Sequence, residues 1–230
     1  MIRLDRIRLT GLPFLLNLAI NINFINIKNE EFWNTVTHFA GVLLTIIGIP
    51  FLFYFNNEIT IHSKLSLILF SIGLLLVYIS STLYHYAQNK QIKNKLRVFD
   101  HISIFYLILG SYAPVCLITL LESSGLIIFI CVLILALTGT LIKIFFFEKS
   151  QFMSLVLYVL MGWLIILDLN NLFQLISTEA RLLLIASGFS YTLGVVFYYF
   201  DSIKYFHSIW HIFVLLGSTF HYLLVLLYVI

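Results

Sequence analysis

The chain has 230 residues, 61% of them hydrophobic and only 10% charged, with a mean hydropathy of +1.05. Soluble domains carry about 25% charged residues, and disorder needs low hydrophobicity, so both classes are excluded. The net charge of +3 is small, with no basic stripe of the kind that binds nucleic acid, and Cys116 and Cys131 both lie in apolar runs. That excludes a disulfide framework and a cysteine-based zinc module. What remains is an integral membrane protein.

Residues 1–29 are predicted to be an N-terminal cytoplasmic extension, separate from a membrane domain over 30–230. The extension opens with Arg3, Arg6 and Arg8 and holds a short apolar run diluted by Asn17, Asn21, Asn23 and Asn26. It is similar to a signal peptide but has no A-x-A-like cleavage site. An uncleaved segment, amphipathic in character and lying along the inner membrane surface, is expected.

A hydrocarbon core of roughly 30 Å needs about 20 apolar helical residues. Seven stretches qualify, at 32–57, 65–88, 101–121, 123–142, 150–167, 182–200 and 205–230. They are apolar around the whole circumference and show no strand alternation. The predicted fold class is therefore all-α, a seven-transmembrane helix bundle. With the N-terminus inside, eleven basic residues (Arg3, Arg6, Arg8, Lys28, Lys90, Lys93, Lys95, Arg97, Lys143, Lys149 and Lys204) fall on the cytoplasmic side, against Lys64 and Arg181 outside. Positive charge favours the inner face, so the C-terminus is expected to be external.

The polar residues converge in depth. The first span opens on Glu31, Asn34 and His38, the second ends on Ser81 and His85, the third starts at Asp100 and His101, and the seventh begins with His207 and His211. All are expected within about two helical turns of the cytoplasmic ends. His207 and His211 are four apart and share a helix face, as do Ser81 and His85. Two imidazoles at that spacing suit one metal ion, and adding His85 makes a three-histidine zinc site with an open fourth position, the mark of catalytic zinc. Asp100 would orient a water there or take its proton. An HxxxH pair also arises by chance, and single histidines in spans are usually packing residues. His221, about 15 Å beyond His211 along its helix, is read as packing, His62 as a solvated loop residue, and Asp168 as an exposed helix end.

These residues also fall into a recognisable order. Glu31, Asn34, Thr37, His38 and Gly41 resemble the E-x-x-N-x-x-T-H-x-x-G opening of the hemolysin III family. Ser81-Thr-Leu-Tyr84-His85, Asp100-His101 through Gly110-Ser111-Tyr112-Ala-Pro114, Met161-Gly162-Trp163, Gly188-Phe-Ser-Tyr191-Thr-Leu-Gly194 and His207-Ser-Ile-Trp210-His211 are similar to its later motifs, as are Gly217-Ser218 and His221-Tyr222. The likeness covers about 30–230 and extends to the progestin and adipoQ receptors and, more distantly, to alkaline ceramidases. It implies His85, His207 and His211 as zinc ligands, Asp100 contacting the metal-bound water, Ser81 beside them, and Glu31, Asn34 and His38 in support.

The expected function is a membrane-embedded zinc hydrolase cleaving a lipid-borne amide or ester, with Asp100 and Ser81 catalytic. The alternatives are a receptor-like or structural zinc protein and a pore-forming cytolysin. A pore should spread polar residues through the full bilayer depth, and a receptor should carry a long loop or partner-binding domain; the sequence has neither. The expected partners are the lipid bilayer and a lipid substrate, without nucleic acid or an assigned protein partner.

Overall fold

The structure is a computed structural model, and it describes residues 29–230. The expected surface segment within the N-terminal extension lies outside the described residues. The helices are α1 (Asn29–Tyr54), α2 (Ser63–Tyr86), α3 (Lys90–Pro114), α4 (Gly125–Phe146), α5 (Gln151–Trp163), α6 (Leu169–Leu175), α7 (Thr178–Tyr199) and α8 (Phe206–Leu224). A 3-10 segment, Leu164–Asp168, joins α5 to α6 in one span, Gln151–Leu175, and π turns extend α3 and α8 to Thr119 and Val229. Seven helices are thus long and apolar enough to cross a membrane, and no strand occurs among the described residues.

Two boundaries differ from the sequence reading. The third helix starts at Lys90, not at 101, so Asp100 lies nearly three turns from its end rather than at it. The reason is local: Lys, Gln, Leu and Arg are good helix formers, and Asn89 caps the helix by accepting from the backbone N–H groups of Gln91 and Ile92. Charge ends a membrane run, but it does not end a helix. The fifth span also runs beyond 167, because Leu169–Leu175 continues it after the 3-10 segment. Asp168, read as an exposed end, is buried there. It accepts from the Ser123 and Ser124 hydroxyls at 2.8 and 2.5 Å and from Asn171 Nδ2 at 2.7 Å, tying the fifth span to the loop before α4.

The core centres on α2 and α3. Leu67, Phe70, Leu74 and Val77 of α2 pack with Leu107 of α3 and with Trp210 and Val214 of α8. A second cluster, Phe105, Leu109, Val132, Ala136, Leu157 and Met161, joins α3 to α4 and α5. Leu, Ile and Phe side chains such as Ile47, Ile134, Leu182 and Phe189 are exposed around the outside. In water so large an apolar surface would drive association; in a bilayer it is the solvent-facing surface. The packing of α1, α2, α3 and α8 brings the polar residues of the sequence reading to one end of the bundle.

Candidate metal centre

The start of α8 is fastened to the start of α1. Tyr205, in the left-handed region at φ 68°, donates its backbone N–H to Glu30 Oε1 at 2.9 Å. The next turns of α8 then present His207 and His211 toward α1 and the end of α2. Ser208 Oγ hydrogen-bonds Asn34 Oδ1, adding a second tie between the two helices.

His85, His207 and His211 close into a cluster. Their ring centroids are 5.1 Å (85–207), 5.0 Å (85–211) and 4.7 Å (207–211) apart, and one candidate ligand atom from each lies within 4.8 Å of the others. His85 Nδ1 donates to Glu31 Oε2 at 2.8 Å, and Glu31 Oε1 accepts from Lys93 Nζ at 2.9 Å. His211 Nδ1 is 3.2 Å from the Asn34 carbonyl and 3.3 Å from Thr37 Oγ1. These bonds to Nδ1 leave Nε2 as the nitrogen that His85 and His211 offer inward. The Nε2 atoms of His85 and His207 are buried with no hydrogen-bond partner. Leaving buried polar atoms unpaired is costly, and three converging imidazoles are a donor set that zinc accepts. The residues fit such a cation.

His38 is not one of the three. Its ring stacks on His211 at 3.6 Å between centroids and meets Tyr78 edge-on at 5.2 Å, and both its nitrogens lack partners. Ser81 Oγ is likewise buried without a partner, and Asp100 is buried nearby.

Two cavities meet at the cluster. A polar vestibule of about 1200 Å³ is lined by Glu30, Glu31, Asn34, Tyr84, His85 and Asp201 among others. An apolar chamber of about 400 Å³ runs from His38, Ser81 and Asp100 between α3, α5, α7 and α8 toward His221. His101, Tyr198 and His207 line both. The Arg97–Glu148 ion pair stands on the vestibule wall, and Asp201, in the loop before α8, is raised above the ordinary carboxyl value by partial burial and by Glu30 beside it.

The sequence of residues 26–222 matches the family described as Haemolysin-III related. The chain is 38% identical over 200 residues to the hemolysin-3 homolog of Bacillus subtilis (strain 168), covering 86% of this chain and 94% of that one. It is 32% identical over 202 residues to hemolysin-3 of Bacillus cereus, covering 87% and 92%. This chain belongs to the Haemolysin-III related family. A more distant relative, the monocyte to macrophage differentiation factor of Homo sapiens, is 28% identical over 204 residues, covering 84% of this chain and 82% of the human one. Family membership and seven apolar helices together make it a multi-pass integral protein of the cell membrane.

Glu31, Asn34, His38, Ser81, His85, Asp100, His207 and His211, the candidate site residues named from the sequence, fall inside the Haemolysin-III related match, and the two cavities gather them at one end of the bundle. Glu31 and Asn34 stand behind the imidazoles, whereas Ser81, Asp100 and His38 line the chamber. Sequence reasoning missed Lys93, read as a topological charge, and Thr37 and Ser208, which lay inside quoted motifs without a role. It also gave no task to His101, whose Nδ1 is 3.3 Å from Tyr198 Oη across the junction of the two cavities.

Proposed function

We propose that this Haemolysin-III related protein is a zinc-dependent hydrolase that cleaves a lipid-borne amide or ester. The observation that carries the reading is position: three imidazoles converge where a polar vestibule meets an apolar chamber. A lipid lying across that junction has its head group in the vestibule, its chain in the chamber, and its scissile bond beside the histidines. With the N-terminus cytoplasmic, as the basic residues favour, the site opens to the inner leaflet.

His85, His207 and His211 would hold the zinc, which supplies Lewis acidity and lowers the pKa of water. Asp100 orients the attacking water and takes its proton, then returns it to the leaving amine or alcohol as the carbon–nitrogen or carbon–oxygen bond breaks. The unpartnered Ser81 hydroxyl donates to the carbonyl oxygen as negative charge builds on it. Glu31 keeps His85 in one tautomer and orientation.

The test is zinc analysis of the purified protein together with fatty-acid release from a panel of ceramides, acyl amides and esters. Asp100→Ala is expected to retain zinc and lose release. Stoichiometric zinc with no turnover on the whole panel would favour a receptor-like protein with structural zinc. The relatives' names suggest a cytolysin, but the chamber beyond the histidines is lined mostly by Leu, Ile, Val and aromatic side chains, which is a poor conducting path.

A further inference from the structure

The end of the apolar chamber farthest from the three histidines is not wholly apolar. His221 of α8, Ser111 of α3 and Ser187 of α7 line it, and all three are buried. His221 is ten residues past His211, and Ser111 is eleven past Asp100. At 1.5 Å per residue, both helices place this end about 15 Å from the metal centre.

The donors of these groups are already committed. His221 Nε2 donates to the Ser111 backbone carbonyl at 2.9 Å, Ser111 Oγ donates to the Leu107 carbonyl at 2.9 Å, and Ser187 Oγ donates to the Gly217 carbonyl at 2.9 Å. A backbone carbonyl can only accept, so Nε2 carries the proton of the neutral imidazole and Nδ1 is a bare acceptor. Nδ1 makes no hydrogen bond among the described residues, and Phe70, edge-on to the ring at 5.6 Å, helps hold its orientation. The two serine oxygens keep only acceptor lone pairs. Tyr191 Oη, paired with Ser218 Oγ at 2.8 Å, also lines the chamber, so what sets this end wall apart is the unpaired His221 Nδ1 acceptor, which favours a ligand that donates.

We propose that this wall recognises a hydroxyl carried well along the chain of the bound lipid, with His221 Nδ1 as its principal acceptor. The proposal rests on the reading of the chamber as a chain pocket, but it does not require hydrolysis. A chain hydroxylated at that depth exchanges its bond to water for one to His221, whereas a plain chain leaves the nitrogen unpaired. One net hydrogen bond of this kind corresponds to about a 5- to 10-fold preference.

The experiment uses the full chain in nanodiscs and displacement of a fluorescent fatty acid. The competitors are a long-chain fatty acid hydroxylated beyond mid-chain, its plain parent, and an isomer hydroxylated next to the carboxyl. The wild type is expected to prefer the first about 5- to 10-fold over the other two. His221→Gln keeps a donor for the Ser111 carbonyl but moves the acceptor from Nδ1 to its own Oε1, so the preference should fall. His221→Phe, which has no acceptor, should bind all three alike, and both variants should keep their zinc content unchanged. Ser111→Ala, which retains the carbonyl, should reduce the preference partially. Equal displacement by all three in the wild type, or a full preference that survives His221→Phe, overturns the proposal. A protein inert as a hydrolase that still shows the preference upholds it, and an active one without the preference refutes this site alone. Failure of any chain to bind removes the chain-pocket reading as well.

Discussion

Two pairs of glycines serve opposite ends in this bundle. Gly73 of α2 and Gly110 of α3 face each other where those helices cross, and a Cβ on either would lie 2.5 Å from the Tyr106 carbonyl oxygen or 2.7 Å from that of Leu69. Gly162 of α5 and Gly188 of α7 line the apolar chamber, and a Cβ on either would meet nothing within 4 Å. In the first pair the missing side chain lets two backbones touch, the usual use of small residues between membrane helices. In the second it leaves space unfilled. The spans differ accordingly: 67% of the third is buried, against 17% of the sixth. The crossing of α2 and α3 is a closely packed frame behind the histidines, whereas α5 and α7 form a loose wall around the cavity at Gly162 and Gly188. The looseness is local, since α7 packs closely on α8 at Gly194, where a Cβ would lie 2.8 Å from Trp210.

The contrast breaks most readily at the glycines themselves. Gly73→Val or Gly110→Val drives carbon into a backbone carbonyl that cannot rotate away. Overpacking of this kind costs about 1–3 kcal/mol and often more, so a large fall in melting temperature in detergent, or no folded protein, is expected. Gly162→Ala and Gly188→Ala should melt at or slightly above the wild-type temperature, since alanine favours helix over glycine by about 1 kcal/mol. Equal damage from both pairs would mean that the loose wall is packed after all.

The next largest effect belongs to the frame. His207→Ala or His211→Ala removes one of three converging imidazoles and should bring zinc in the purified protein to background. Changes on the chamber side, such as Gly188→Ala, should leave zinc stoichiometric. Zinc that persists after all three histidines are replaced would dismantle the centre. Glu31→Gln is milder. It loses the charge that orients His85 but leaves the ligand in place, and the loss of such a partner weakens metal binding about 10- to 100-fold. Competition with a graded series of chelators reads this directly, and an unchanged affinity would make Glu31 merely a mate for Lys93.

The frame was far more legible in the sequence than the wall. Charge-free runs gave the seven spans because a bilayer enforces length and apolarity on each helix independently. The histidine cluster was legible from shared depth and four-residue spacing, which are properties of single helices. What escaped depended on how helices sit against one another. That His85 turns toward Glu31, that His38 stacks on His211 rather than joining the three nitrogens, and that Gly162 and Gly188 border empty space are relations between spans. The extra turns of α3 escaped because Lys90 to Arg97 looked like a loop when charge was taken to end a span.

The smallest effect tests how the loop between α7 and α8 is held. Asp201 lies in that loop, outside the spans, with its carboxyl raised above 3.8 by partial burial and by Glu30. A folded-state pKa above the unfolded one favours the protonated form in the folded protein. The contribution is therefore fully present below the unfolded value and is lost as pH rises through the folded value. At neutral pH the folded protein holds two neighbouring carboxylates there, and Asp201→Asn removes that repulsion. The variant should melt slightly higher than wild type at neutral pH, with the difference vanishing in acid, where both carboxyls are protonated. Because Glu30 also accepts the Tyr205 N–H that starts α8, the gain should appear without any change in zinc content. A difference of the same size at both pH values would show that the asparagine acts through a new hydrogen bond, and that the seam between the loose wall and the frame is not under charge repulsion.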